Sequence, residues 1–264
     1  MTDRKPNFVL VPDTEEAASR PKRGLALAFD RLRALTAAAR DSAAPAAQDP
    51  RRVELRPNSH DMPGKPRLVF GFDATASREP AWTAARQVTD ALVSVLPGAL
   101  DVALAVHGGS RLHTFTAFTS DARTLRDLAA SITCKPGFTQ LLPILSGSLD
   151  HSGVKVVTYI GDFFEESLGQ GRKLADRMGT RGIKLIVLHD TSDWNARRDA
   201  EIFLDLARRT GGCVLPFDSN APGRLRDMLQ AVAVYAVGGL PLLHEKRKEL
   251  PGAPALLQYL NDRG

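Results

Sequence analysis

The segment Asp73-Ala74-Thr75-Ala76-Ser77 places a carboxylate and two hydroxyls at alternate positions, so three oxygen donors can turn toward a common point. A second carboxylate follows in Gly161-Asp162. A lone hydroxyl stands in the turn-rich segment Lys135-Pro136-Gly137-Phe138-Thr139-Gln140. These segments together offer two carboxylates and three hydroxyls, with no thiol and no imidazole. Such an all-oxygen set suits a hard cation, magnesium or manganese rather than zinc. With only two carboxylates the ion keeps net positive character. Each residue also has a local explanation. Ser77 can cap the following helix, Asp73 and Asp162 can be acids at helix starts, and Thr139 can cap the segment from Gln140. Capping explains each one singly but not their convergence.

A rival chemistry uses the carboxylates alone. Asp73, Asp162, Asp190 and Glu165 could gather two magnesium ions for phosphodiester hydrolysis, making the chain a metal-dependent nuclease or phosphohydrolase. Against this, the first loop offers hydroxyls where a second metal would want further carboxylates. A serine nucleophile has less support, because no Gly-x-Ser-x-Gly occurs and His107, His113, His151 and His189 carry no signature tying them to a serine. His189, after a strand, could approach the site but more simply reads as a hydrogen-bonded core residue.

Charge narrows the choice of partner. Of 35 Lys and Arg against 30 Asp and Glu, residues 1–66 hold 12 and 9, residues 67–237 hold 19 and 18, and residues 238–264 hold 4 and 3. The excess of +5 sits mostly in the N-terminal arm, and a nearly neutral middle lacks the basic stripe a nucleic-acid binder needs. No apolar run reaches the ~18–20 residues of a membrane span, and the first residues have too short an apolar patch for a signal sequence. A cytoplasmic protein is expected. Cys134 and Cys213 fit neither a disulfide framework nor a metal motif, and both are expected to be buried thiols.

The elements that must position these residues follow from periodicity. Residues 1–66 form an arm. Leu25, Phe29, Leu32 and Leu35 make one amphipathic helix over 22–40, and five prolines between Asp41 and Pro66 mark a linker. From Arg67 to Val237 short apolar runs alternate with helical segments, the mark of a parallel sheet with crossover helices. Runs at 68–72, 154–160 and 183–188 are apolar on both faces, as buried strands are. Runs at 100–106 and 112–118 are too close for a crossover and must form an antiparallel hairpin. One helix is expected through Ala81, Val88, Leu92 and Val95, with Pro80 in its opening turn. Others are marked by Leu125, Leu128 and Ile132; by Leu174 and Met178; by Ile202, Phe203 and Leu206; and by Leu225, Leu229, Val232 and Ala236, the last stopped by Gly238-Gly239. The fold class is therefore α/β: three layers around a doubly wound, mostly parallel sheet with one antiparallel edge hairpin. Asp73 and Asp162 fall just beyond strands, where such sheets bind ligands. Residues 238–264 form a C-terminal extension packing on the domain or on a partner, with the basic run from His244 to Lys248 on a solvated face.

Asp73-Ala74-Thr75-Ala76-Ser77, Thr139 and Gly161-Asp162, in this order on this strand pattern, resemble the metal-ion-dependent adhesion site of von Willebrand factor type A domains. That motif reads Asp-x-Ser-x-Ser, then a Thr on a middle loop, then an Asp after the fourth strand. The resemblance covers about residues 67–237. It implies that Asp73, Ser77 and Thr139 are direct or near-direct ligands, that Thr75 replaces the first Ser, and that Asp162 acts through water. It further implies a non-enzymatic role, in which a magnesium or manganese ion accepts an Asp or Glu of another protein, plausibly an AAA+ ATPase or chaperone-like assembly. Phe138, Phe163 and Glu165 flank the ligands as candidate partner contacts. For Phe163-Phe164 the alternative is first-turn packing of the next helix.

Overall fold

The computed structural model describes residues 64–261 apart from 110, 191–193 and 219. The amphipathic segment 22–40 and most of the proline-rich stretch lie outside the described residues. Strands β1 (Arg67–Asp73), β2 (Asp101–Gly108), β3 (Arg111–Phe115), β4 (Val154–Gly161), β5 (Lys184–Asp190) and β6 (Cys213–Phe217) form one sheet in the order β3-β2-β1-β4-β5-β6. All pairings are parallel except β2 with β3. Residues with two-sided apolar patterning occupy the centre, and every residue of β1 is buried. Alternate side chains serve opposite faces, since successive Cβ atoms of a strand point to opposite sides. Leu68, Phe70 and Phe72 join Trp82, Leu104 and Leu229 on one face. Val69 joins Tyr159, Ile144, Leu145 and Phe203 on the other.

The helices depart from the sequence expectation at one point. The single helix expected through Val95 is two: α1 (Glu79–Arg86) and α2 (Ala91–Ser94). Between them Val88, Ala91 and Leu92 make tight bonds to the carbonyls three residues back, while the Thr89 hydroxyl donates to Arg86 O at 3.2 Å. A hydroxyl that satisfies the backbone locally competes with helix continuation. Helices α3 (Ala122–Ala130), α4 (Leu141–Leu149), α5 (Leu168–Thr180) and α6 (Ala200–Thr210) follow. The last expected helix, α7 (Pro222–Glu245), is interrupted at Gly238-Gly239 as expected. It breaks at Gly239 (φ 63°, ψ −157°) and resumes. Positive φ suits glycine, and a kink suits Pro241 two residues on. Helix α8 (Ala253–Asn261) then brings Leu256, Leu257 and Leu260 into the same apolar cluster as Leu229 and Leu215. The run from His244 to Lys248 is largely exposed. Among the described residues no helix is long and apolar enough to cross a membrane.

The chain runs from β1 outward to β2 and β3, then returns to the other side of β1 as β4. The switch point therefore lies between β1 and β4, where Phe72 pairs with Ile160 and the next residues are Asp73 and Gly161-Asp162. Open α/β sheets bind ligands at this crevice because the loops leaving it diverge to opposite faces.

Candidate metal centre

Asp73 ends β1 and is fully buried. Its Oδ1 accepts the Thr75 N–H at 2.9 Å, which folds the loop back so that Thr75 Oγ1 and Ser77 Oγ stand 3.4 Å apart. The loop is held from both sides: Ala74 N–H donates to His107 O at the end of β2, and Lys135 N–H donates to Ala74 O. The second contact ties the Thr139-bearing segment to the first loop. Thr139 is clipped in turn to the loop after β4, its N–H donating to Glu165 Oε2 at 2.9 Å and its Oγ1 accepting Glu165 N–H at 3.1 Å. Glu166 caps α4 by accepting Leu142 N–H at 2.9 Å. The structure thus brings Asp73, Thr75, Ser77, Thr139 and Asp162 to one end of the sheet, on three interlocked loops.

The local explanations fare differently. Ser77 lies in a short 3-10 turn, Ala76–Arg78, and α1 is preceded by Arg78 with no side-chain cap. Gln140, not Thr139, precedes α4, and Ser167 caps α5 five residues after Asp162. None of the five oxygen donors caps a helix.

Electrostatics mark the same place. The Asp73 carboxyl is raised above the usual range by burial, against the opposing Thr75 hydrogen bonds and the Arg78 charge. Burial pushes Asp162 up to about 6, with Arg78 opposing and the neighbouring Asp73 charge adding. Asp73 Oδ2 is buried and has no hydrogen-bond partner among the described residues. Two facing buried carboxyls with an orphaned oxygen are what a cation would relieve, since desolvated anions need a counter-charge. Among the described residues no three His, Cys, Asp or Glu side chains cluster to hold a metal. An ion here would rest on two carboxylates plus hydroxyls, the donor set of a hard cation.

Three residues absent from the sequence reading of the site shape it. His107 Nδ1 lies 3.6 Å from Asp73 Oδ1, and its Nε2 is 2.9 Å from Tyr159 OH. Burial lowers His107 to about 3 and raises Tyr159 well above its ordinary value, so the wall behind Asp73 is neutral at physiological pH. Arg78 is 4% exposed; its Nη1 lies 2.7 Å from Asp190 Oδ2 and 3.5 Å from Asp162 Oδ2. The only hint of these roles in the sequence was their place next to Ser77 or inside apolar strands. His189 is a satisfied core residue, with Nε2 3.0 Å from Asp162 O and its ring 4.9 Å from that of Phe203.

The flanking residues separate. Phe138 is 65% exposed beside Thr139, Phe163 is half-buried, and Phe164 packs into the core. Glu165 is exposed and accepts Thr139 N–H with one carboxylate oxygen. An open groove of about 670 Å³ lies next to Glu165, lined by Gln140, Leu142, Pro143, Gln170 and Leu174 among others. Neither cysteine is in a disulfide; Cys213 is buried, but Cys134 is only half-buried, contrary to expectation.

No family model and no curated protein matches the chain. Solved structures do. A von Willebrand factor type A protein from Catenulispora acidiphila superimposes with a TM-score of 0.52 at 13% identity, over 65% of this chain and 43% of that one. The fold is that of a von Willebrand factor type A domain. The described chain spans less than half the length of that relative. Proximal thread matrix protein 1 from the mussel byssus, in a form with a zinc-occupied metal-ion-dependent adhesion site, gives a TM-score of 0.50 at 12% identity, over 64% of this chain and 46% of that one. An aerotolerance-related membrane protein from Bacteroides fragilis gives 0.50 at 15% identity, over 74% and 98%. The type A fold fits the sheet order, the antiparallel edge and the position of the three loops.

Proposed function

We propose that this chain is a metal-dependent protein-binding module, in which a magnesium or manganese ion is held by Asp73, Ser77 and Thr139, with Thr75 and Asp162 supporting it. The observation that carries this reading is the buried Asp73 Oδ2, facing Asp162 at the switch point of the sheet with no hydrogen-bond partner among the described residues. When bound, the ion would supply a Lewis-acidic position for an Asp or Glu of another protein. The chain's own groups do the rest. Thr75 N–H and the neutral His107–Tyr159 wall orient Asp73, and Glu165 fixes Thr139. Phe138 and the adjacent groove supply apolar surface beside the ion, as a protein partner would need. The zinc-bearing site of the byssus relative supports divalent binding on this fold. We read the module as non-enzymatic. The first loop presents the Thr75 and Ser77 hydroxyls where a two-metal hydrolase would want further carboxylates. The two unbridged cysteines are in keeping with a cytoplasmic setting.

Calorimetric titration of magnesium and manganese into the full chain and into Asp73→Ala tests the reading. Binding by the wild type and none by the variant is the expected result; equal heats for both would refute it. Turnover of single-stranded or duplex nucleic acid with manganese, abolished by Asp162→Asn, would replace it with the hydrolase.

A further inference from the structure

Arg78 follows Ser77 directly, in the 3-10 turn that carries the first loop. It is an unusual neighbour for a cation site, being buried, charged, and bonded to Asp190 at 2.7 Å while lying 3.5 Å from Asp162 Oδ2. Its Nε and Nη2 are buried without hydrogen-bond partners among the described residues. The position is set by topology: β5 pairs with β4, Gly161 lies opposite His189, and Asp162 and Asp190 each stand one residue further on. The guanidinium therefore bridges the carboxyl ends of two adjacent strands, next to Asp73. With Asp73, Asp162 and Asp190 ionised, Arg78 offsets one of three negative charges in a largely buried region. Buried charge of one sign is costly, and a fixed counter-charge is the remedy at hand.

We infer that Arg78 is a built-in cation that competes electrostatically with the divalent ion for Asp162, holding the site together in the ion's absence and lowering its affinity. This inference rests on the metal-site reading above and deepens it. A fixed positive charge close to a divalent ion raises the free energy of the loaded state. A partner carboxylate lowers it again, so ion and partner bind with positive coupling.

Manganese binding to the full chain is measured by loss of the free-ion paramagnetic resonance signal, for wild type, Arg78→Gln, Arg78→Lys and Asp190→Asn, with circular dichroism confirming the fold. Arg78→Gln is expected to bind manganese at least about tenfold more tightly, and Arg78→Lys, which keeps the charge, within a few-fold of wild type. Without metal, Arg78→Gln should melt below wild type, and saturating manganese should narrow the gap. Asp190→Asn leaves the Arg78 charge less neutralised and should bind several-fold more weakly; this variant decides the matter if Arg78→Gln does not fold. Equal or weaker binding by a folded Arg78→Gln, or unchanged binding by Asp190→Asn, would overturn the role of Arg78 while leaving the metal site standing. No binding by either wild type or Arg78→Gln would overturn both.

Discussion

Glu166 shows what a single half-buried carboxyl does to this domain. It accepts Leu142 N–H at the start of α4, and burial pushes it from 4.5 up to about 7 against that hydrogen bond. Between these values the folded chain holds a proton that the unfolded chain has released. Stability from this group is therefore complete below about pH 4.5 and lost as the pH rises through about 7. Melting curves between about pH 5 and about pH 7.5 should show a fall for wild type that is shallower in Glu166→Gln. A parallel pair of curves would count against it. Asp73 follows the same sign, its carboxyl raised by burial. An uncharged residue would be less costly there, which is the trade expected of a binding site set in a stable scaffold.

At the scale of elements, the end of β4 sets the position of Asp162. Gly161 belongs there because a Cβ would lie 2.4 Å from Tyr159 Cε1, inside any tolerated contact. Gly161→Ala should displace the Tyr159 ring or bend the strand, destabilising the fold by about 1–3 kcal/mol as overpacked cores do. Since Tyr159 also holds His107 behind Asp73, metal affinity should fall with it. Chemical denaturation and manganese titration of this variant check both; a folded variant with wild-type affinity would sever the link. Strand ends were legible in the sequence because an apolar run followed by Asp marks where a buried strand leaves the core. Helix ends were less so. The break between α1 and α2 depends on the Thr89 hydroxyl reaching Arg86 O, and the further helical segment after Gly239 on tertiary packing of Leu243.

At the scale of the molecule, the segment after the sheet is part of the core. Leu243, Leu250, Leu256, Leu257 and Leu260 pack with residues of β6 and α7. Fully burying one leucine contributes about 1.5–3 kcal/mol, and a domain's whole stability is about 5–15 kcal/mol. Deleting residues 246–264 should therefore leave a chain that is insoluble or unfolded at 25 °C, as thermal melts and size-exclusion chromatography would show. A monomeric, cooperatively melting truncation would mean that these contacts are dispensable.

What the residues determined alone was the pattern: apolar runs of strand length, a pair too close for a crossover, and oxygen-bearing side chains placed just beyond three strands or loops. Periodicity and spacing are local properties, so the doubly wound sheet and the five donors could be named before any coordinate. The tertiary structure decided which neighbours those donors meet. Arg78 reaches Asp190 across 112 positions of sequence, Glu165 clips Thr139 across 26, and Tyr159 supports His107 across 52. The charge balance of the site depends on such contacts, because desolvation and Coulomb interaction act through space and depend on burial that no sequence spacing reports.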